Sequence, residues 1–163
     1  MTEPDYQFEF IDEQSALEID FERMKRAISC ILADEGYVRA KLELVALDAE
    51  PMHELNVQFL GHDYPTDVLA FPNAVDPDSG TLEGEIVVCP DVAIEYAKDY
   101  VAKDYAWSPE DETLLYAIHG ALHLVGYDDH SPEDAPIMHA KEREYLARVG
   151  VDGSRSRAGE ENA

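Results

Sequence analysis

The sequence predicts an α+β fold, a small sheet accompanied by about five helices, on three observations. Helical hydrophobic spacing recurs in segments opened by Asp, Ser or Pro signals and closed by glycine. Short apolar runs suited to strands fall between those segments. Of the 163 residues, 45% are hydrophobic, with 9 Tyr, 5 Phe and 1 Trp. That is enough to bury one core and too much for a disordered chain.

The elements follow in order. A polar N-terminal lead precedes Ile19, after which Asp20 caps a first helix. Phe21, Met24, Ile28, Ile31 and Leu32 keep helical spacing, and Gly36 stops it. Residues 38–47 read as a strand. Asp48 is placed to cap a second helix of about 12 residues ended by Gly61. Two short strands are expected near Asp67–Phe71 and Gly84–Cys89, separated by a Pro/Asp/Ser/Gly loop at Pro72–Gly80. Pro90-Asp91 opens a third helix to about Tyr105. Ser108-Pro109-Glu110-Asp111 opens a fourth, running through Leu114, Leu115, Ile118, Leu122 and Val125 to Gly126. Ser131-Pro132-Glu133-Asp134 repeats that opening for a last helix ending at Gly150. Residues 1–150 are therefore read as one domain and 151–163 as a disordered tail.

No apolar run reaches the roughly 20 residues of a membrane span, and Met1-Thr2-Glu3-Pro4-Asp5 is acidic, so neither a transmembrane helix nor a signal peptide is predicted. Cys30 and Cys89 are too few for a disulfide framework and too far apart for a CxxC pair. A cytoplasmic setting is expected. With 36 acidic residues against 12 Lys and Arg, the formal net charge is −24. Composition alone thus argues against holding nucleic acid through a basic face. Solubility explains such acidity, and so does adaptation to molar salt, where a Debye length of about 3 Å screens self-repulsion. Only 5 Lys beside 36 acids favours the halophilic reading.

The chemistry concentrates at the end of the fourth helix. His119 and His123 are four apart, so their imidazoles leave one helix face one turn apart, the spacing for two nitrogens on one divalent metal. Gly126 lets the chain reverse, so that Asp128, Asp129 or His130 can return toward the pair. Three protein ligands would leave a position open for water. Four of the six His lie between 119 and 139, beside a carboxylate pair and a glycine turn, which favours a metal site over two structural histidines. Gly120 stands where an HExxH metalloprotease has its general-base Glu, which argues against peptide hydrolysis of that form.

The stretch His119-Gly-Ala-Leu-His123-Leu-Val-Gly126-Tyr127-Asp128 closely resembles the HGxLHLxGYD signature of the YbeY family, zinc-dependent endoribonucleases of bacterial ribosomal RNA maturation. Asn56-Val-Gln-Phe59 through Asp63-Tyr-Pro65-Thr66-Asp67-Val-Leu-Ala-Phe71-Pro72 resembles a second block of the family, N-x-x-Y-R-x-x-D-x-P-T-D-V-L-S-F-P. Leu82-Glu-Gly84-Glu85-Ile86-Val-Val-Cys89 resembles a third, L-G-D-I-x-I-S. The resemblance implies a small mixed four-stranded sheet with a metal site at the end of a central helix. It also implies cleavage of single-stranded RNA at the 3′ end of 16S ribosomal RNA, and a part in ribosome quality control. The implied partners are the small ribosomal subunit and ribosomal proteins, with no membrane.

Two departures stand out. The family's third zinc-binding His falls at Asp129, with His130 one residue on. Met138 keeps the family's register downstream, which favours Asp129 as third ligand over an insertion that restores His130. Carboxylate oxygen and imidazole nitrogen both bind zinc at about 2.0–2.2 Å. The resemblance therefore assigns one Zn2+ to His119, His123 and Asp129, with these residues as the catalytic set and Asp128 or His130 as orienting groups. Leu60 stands where the family carries an Arg thought to help catalysis, and no Leu replaces a charged fork. His62, where the family often has Lys, is the nearest compensating residue in sequence. Phe71 and Tyr127 are read as core aromatics before base-stacking ones, and Thr66 and Asp67 as turn residues. The alternative function is a non-catalytic, metal-stabilised ribosome-assembly factor, to which Leu60 lends weight.

The charge makes one expectation testable. Thermal stability and RNA cleavage should both rise from dilute buffer to molar salt, followed by calorimetry and a gel assay. A protein most stable at low ionic strength would reduce the acidity to solubility.

Overall fold

The computed structural model describes residues 3–102 and 107–156. In chain order these form β1 (Asp5–Glu13), α1 (Phe21–Asp34), β2 (Arg39–Leu47), α2 (Ala49–Leu60), β3 (Val68–Asp76), β4 (Thr81–Val88), α3 (Pro90–Ala102), α4 (Pro109–Leu124) and α5 (Asp134–Arg148), followed by a 3-10 turn at Gly153–Arg155. The sheet has four strands in the order β1-β2-β4-β3. β1, β2 and β4 run parallel, and β3 is antiparallel to β4. The mixed α+β architecture expected from the sequence is thus observed.

The two sheet faces follow from strand periodicity. Ala40, Leu42, Leu44 and Ala46 of β2 and Leu82, Ile86 and Val88 of β4 join the main core with α1, α4 and α5. The intervening Val45, Leu47, Val87 and Cys89 form a smaller cluster with Leu69 and with Met52 of α2. Beyond α2 that second face carries a row of like charges, because Glu9 pairs with Glu43 and Glu43 with Glu85 across three strands. Burial, and then the charge of Glu43, pushes the Glu85 carboxyl above its ordinary range. Like charges directly opposite in a ladder destabilise it, which gives the expected salt dependence a structural ground.

Several boundaries differ from the sequence reading. The supposed polar lead is strand β1, whose Tyr6, Phe8 and Phe10 pack against the core while alternate residues face outward. β3 extends through Pro72, which is tolerated because β3 is an edge strand; the register shifts between Pro72 and Ala74. What was expected as a nine-residue loop is therefore mostly strand, closed by a turn at Gly80 (φ 71). α3 is described to Ala102, so its expected end near Tyr105 lies outside the described residues. α5 starts at Asp134, two residues after Pro132, and the expected Ser131 cap is present as the turn before it: Ser131 Oγ accepts from the Asp134 amide and the Ser131 carbonyl from the Ala135 amide. The expected tail is ordered to Ser156, where Gly153 packs on Arg143 and Leu146 of α5 and Ser156 is buried; residues 157–163 lie outside the described residues.

Helix α4 is the central element. Ser108 and Asp111 form a reciprocal capping box with Pro109 in the first turn, and every residue from Glu112 to Ile118 is buried. Trp107 Nε1 donates to the buried Glu112 Oε1 at 2.9 Å, closing the apolar end of the helix. Midway along α4, Gly120 lies on the sheet: a Cβ there would sit 2.8 Å from Ile86 Cγ2 and 3.2 Å from Val68 Cγ2. Gly120→Ala should lower the melting temperature, because overpacking costs about 1–3 kcal/mol whereas the gain in helix propensity is at most about 1 kcal/mol. Calorimetry reads the sign directly, and a raised melting temperature would contradict this contact.

Candidate metal centre

The geometry starts from Gly120, which presses α4 on the sheet and leaves the side chains of His119 and His123 along the flank of that contact. Their rings meet edge-on with centroids 4.5 Å apart. His119 is mostly buried, and His123 is about a third exposed. Each Nδ1 has its own acceptor. His119 Nδ1 lies 2.7 Å from Glu142 Oε1, and His123 Nδ1 lies 3.0 Å from the Tyr127 carbonyl oxygen. A carbonyl and a carboxylate only accept, so each Nδ1 carries the proton and each neutral ring leaves Nε2 bare. The two Nε2 atoms face one another at 3.0 Å. Two bare lone pairs at that distance repel unless a proton or a cation lies between them. The donor set therefore fits a divalent metal.

The turn that brings back a third donor is set by Gly126, at φ 107, where a side chain is strained. Beyond it the Tyr127 amide donates to the Leu122 carbonyl at 2.9 Å, a helix-ending bond that aims the Tyr127 carbonyl at His123. Asp129 then arrives with Oδ2 at 3.6 Å from His119 Nε2 and Oδ1 at 3.7 Å from His123 Nε2. These are beyond hydrogen-bond length, and a ligand atom from each of the three residues lies within 4.8 Å of the others.

The alternatives at this turn separate cleanly. His130 pairs with Asp128 Oδ1 and its side chain is 83% exposed, and it is not in the donor group of His119, His123 and Asp129. Asp128 Oδ1 also accepts from the amides of Asp129 at 2.7 Å and His130 at 3.2 Å, so it shapes the turn that presents Asp129. With those bonds and His130 set against some desolvation, its carboxyl lies below the usual range. Asp128, Asp129 and His130 form a second, more exposed group of donor atoms.

Electrostatics distinguishes the two imidazoles. Burial works against a charge on His119, yet the hydrogen bond and charge of Glu142, with Asp129 and Asp67, outweigh it and raise its pKa. Burial also lowers His123, reinforced by His119, and here the carboxylates do not compensate. The pair therefore accepts one proton more readily than two.

Residues 9–150 match the family described as Endoribonuclease YbeY. The chain belongs to this family. Among curated YbeY relatives, that of Rhodopirellula baltica is 36% identical over 150 residues, 92% of this chain and 73% of that one. The Salinibacter ruber relative is 37% identical over 138 residues, 81% of this chain and 85% of that one. The fold is similar to the solution structure of TM1509 from Thermotoga maritima, with a TM-score of 0.59, 29% identity and 88% of each chain covered.

The remaining residues singled out within the three YbeY-like blocks are placed as follows. Thr66 and Asp67 shape a turn: Asp67 Oδ1 accepts from the Val68 amide at 2.8 Å, and its carbonyl accepts from Cys89 N at 3.0 Å. Phe71 packs edge-on to Phe59, and the Tyr127 hydroxyl donates to Glu35 Oε1 at 2.7 Å, so both aromatics are engaged within the fold. Leu60 is 53% exposed at the end of α2, and His62 is exposed beyond it. Glu142 was missed by sequence reasoning. Its signal was a carboxylate on the buried stripe of α5, in step with Met138, Tyr145 and Leu146. Glu142→Gln should keep the fold but weaken divalent metal binding about 10- to 100-fold, as loss of an outer carboxylate typically does. Competition with a chelator measures this, and unchanged affinity would remove Glu142 from the centre's support.

Proposed function

We propose that this chain is a metal-dependent endoribonuclease that hydrolyses single-stranded ribosomal RNA, with His119, His123 and Asp129 as ligands of one zinc ion. The observation that carries this reading is the facing pair of bare Nε2 atoms at 3.0 Å with the Asp129 carboxylate beside them, in a chain of the Endoribonuclease YbeY family. Three protein donors with a position left open is the pattern of catalytic zinc rather than structural zinc. Bound there, zinc supplies Lewis acidity toward a phosphate and a water nucleophile at neutral pH.

The chain's own residues supply the positioning. Glu142 and the Tyr127 carbonyl orient the two rings and fix the tautomer that exposes Nε2. Asp128 holds the turn that delivers Asp129. Gly120 leaves no side chain for a neighbouring general base. The functional unit on this reading is residues 1–150, acting in the cytoplasm on the 3′ end of 16S ribosomal RNA and in ribosome quality control. Its partners are the small subunit and ribosomal proteins.

Leu60 favours one second reading, a non-catalytic assembly factor whose metal only stabilises the fold, because the exposed position at the end of α2 has no guanidinium to meet a scissile phosphate. One experiment separates the two. Protein purified in molar salt should contain stoichiometric zinc and cut single-stranded ribosomal RNA, and His123→Ala should lose both. Zinc-loaded protein that binds small subunits but leaves RNA intact would support the assembly factor. Absence of stoichiometric metal would defeat both readings.

A further inference from the structure

Among the described residues, six large apolar side chains are markedly exposed, and four of them, Val57, Phe59, Leu60 and Tyr64, fall at the end of α2 and in the loop that follows. That loop is held in place. Gly61, at φ 72, ends α2 with its amide on the Val57 carbonyl, and the His62 amide donates to the Asn56 carbonyl. The buried Asn56 donates through Nδ2 to the Tyr64 carbonyl at 2.8 Å, and His53 Nε2 pairs with Asp63 Oδ1 at 2.7 Å. On this frame the rings of His62 and Tyr64 lie nearly parallel, 9° apart with centroids at 5.4 Å, and the Tyr64 hydroxyl meets His62 Nδ1 at 3.2 Å. Tyr64 nonetheless remains 52% exposed.

The loop leads along the chain toward the candidate metal centre. It runs through Pro65 and Thr66 into Asp67 and Val68, and Val68 Cγ2 would touch a Cβ on Gly120, the residue next to His119. The charge of Asp67 is felt at His119. Cations are missing from the same region of sequence: residues 42–97 and 104–140 contain no Lys or Arg. Those two segments hold the loop, His119, His123 and Asp129 together. The loop and the segment that carries His119, His123 and Asp129 therefore offer no ionic contact to phosphates, the usual source of RNA affinity; the nearest cations in sequence are Lys141 and Arg143, which flank Glu142 on α5. Stacking on an aromatic face needs no charge and accepts every base.

We propose that the stacked His62–Tyr64 pair is a platform on which an unpaired RNA base stacks as the strand enters the candidate metal centre. The proposal rests on the endoribonuclease reading and adds to it the means of holding the strand. A platform already stacked and pinned by Asn56 loses little freedom on binding, which favours affinity. Binding of this kind also persists at salt concentrations that abolish phosphate steering.

The test uses the intact, zinc-loaded protein and a single-stranded oligoribonucleotide carrying 2-aminopurine, with rapid mixing so that fluorescence is read before the strand is cut. Stacking should quench the probe. Tyr64→Ala should abolish the quench and weaken binding about tenfold, whereas Tyr64→Phe should stay within about twofold of the parent. His62→Ala should reduce the quench, and circular dichroism checks that each variant is folded. Affinity should change by less than about threefold between low and molar salt. No quench with the parent protein, or an undiminished quench with Tyr64→Ala, overturns the platform; a surface that seats a protein partner instead gives the first of these results. Cleavage of the same strand, scored on gels, is independent. If the strand is cut but Tyr64→Ala binds and quenches as the parent does, the platform falls and the endoribonuclease reading stands. If it is neither bound nor cut, both fall.

Discussion

Helix α4 can lie directly on β3 and β4 because residue 120 has no side chain, and most of the site depends on that contact. Ile86 and Val68 fill the place a Cβ would take. With that side of the helix committed to the sheet, residues 119 and 123, one turn apart, lie along its flank. Close packing then fixes where their rings point, since a buried helix with its neighbours interlocked cannot rotate about its axis without disturbing the core. The ends of α4 are equally determined: a capping box at Ser108 sets where it starts, and Gly126 sets where the chain turns back.

Around the two imidazoles, support comes from several elements. α5 contributes Glu142, the turn after α4 contributes the Tyr127 carbonyl, and Asp128 organises the backbone that presents Asp129. Tyr127 is tied in turn to the end of α1, where burial and the bond to Glu35 push its phenol up to about 12. It therefore stays protonated and donating across the neutral range. α1 and α5 are joined at their own ends, where Asp34 accepts from Tyr145 and pairs with Arg148. The centre is consequently built from groups contributed by three helices and a turn. The result is two rings with a single available tautomer, which favours one proton or one metal ion between them.

The acidity has two separate structural meanings. On the second face of the sheet, Glu9, Glu43 and Glu85 stand side by side, a cost that salt relieves. In the segments that carry the candidate ligands and the loop after α2, the absence of Lys and Arg over residues 42–97 and 104–140 leaves little means of gripping a phosphate backbone. Both are consistent with a protein suited to concentrated salt, where surface charge repulsion is screened and long-range attraction has little reach. Contact at short range then becomes the remaining source of affinity, through a metal, hydrogen bonds and aromatic faces.

Local signals were sufficient for much of this molecule. The helix starts at Asp20 and Ser108, the glycine stops at Gly61 and Gly126, the His119–His123 pair and the family blocks are all contained in short stretches of sequence, because capping, turn chemistry and i, i+4 spacing are local effects. Strand β1 was hidden because Asp5, Gln7 and Glu9 give its first half a polar look, and only pairing with β2 gives its Tyr6, Phe8 and Phe10 a face to bury. The cap of α2 also needed tertiary structure. Asp48 makes no side-chain bond to the first turn; Asp91 of α3 accepts from the Ala49 amide at 2.7 Å instead. Glu142 lies 23 residues from His119, and nothing local links them. The sequence by itself thus determined the elements and the two histidines. The tertiary structure alone decided that Glu142 stands behind His119, because that contact depends on how helices far apart in the chain pack on one core.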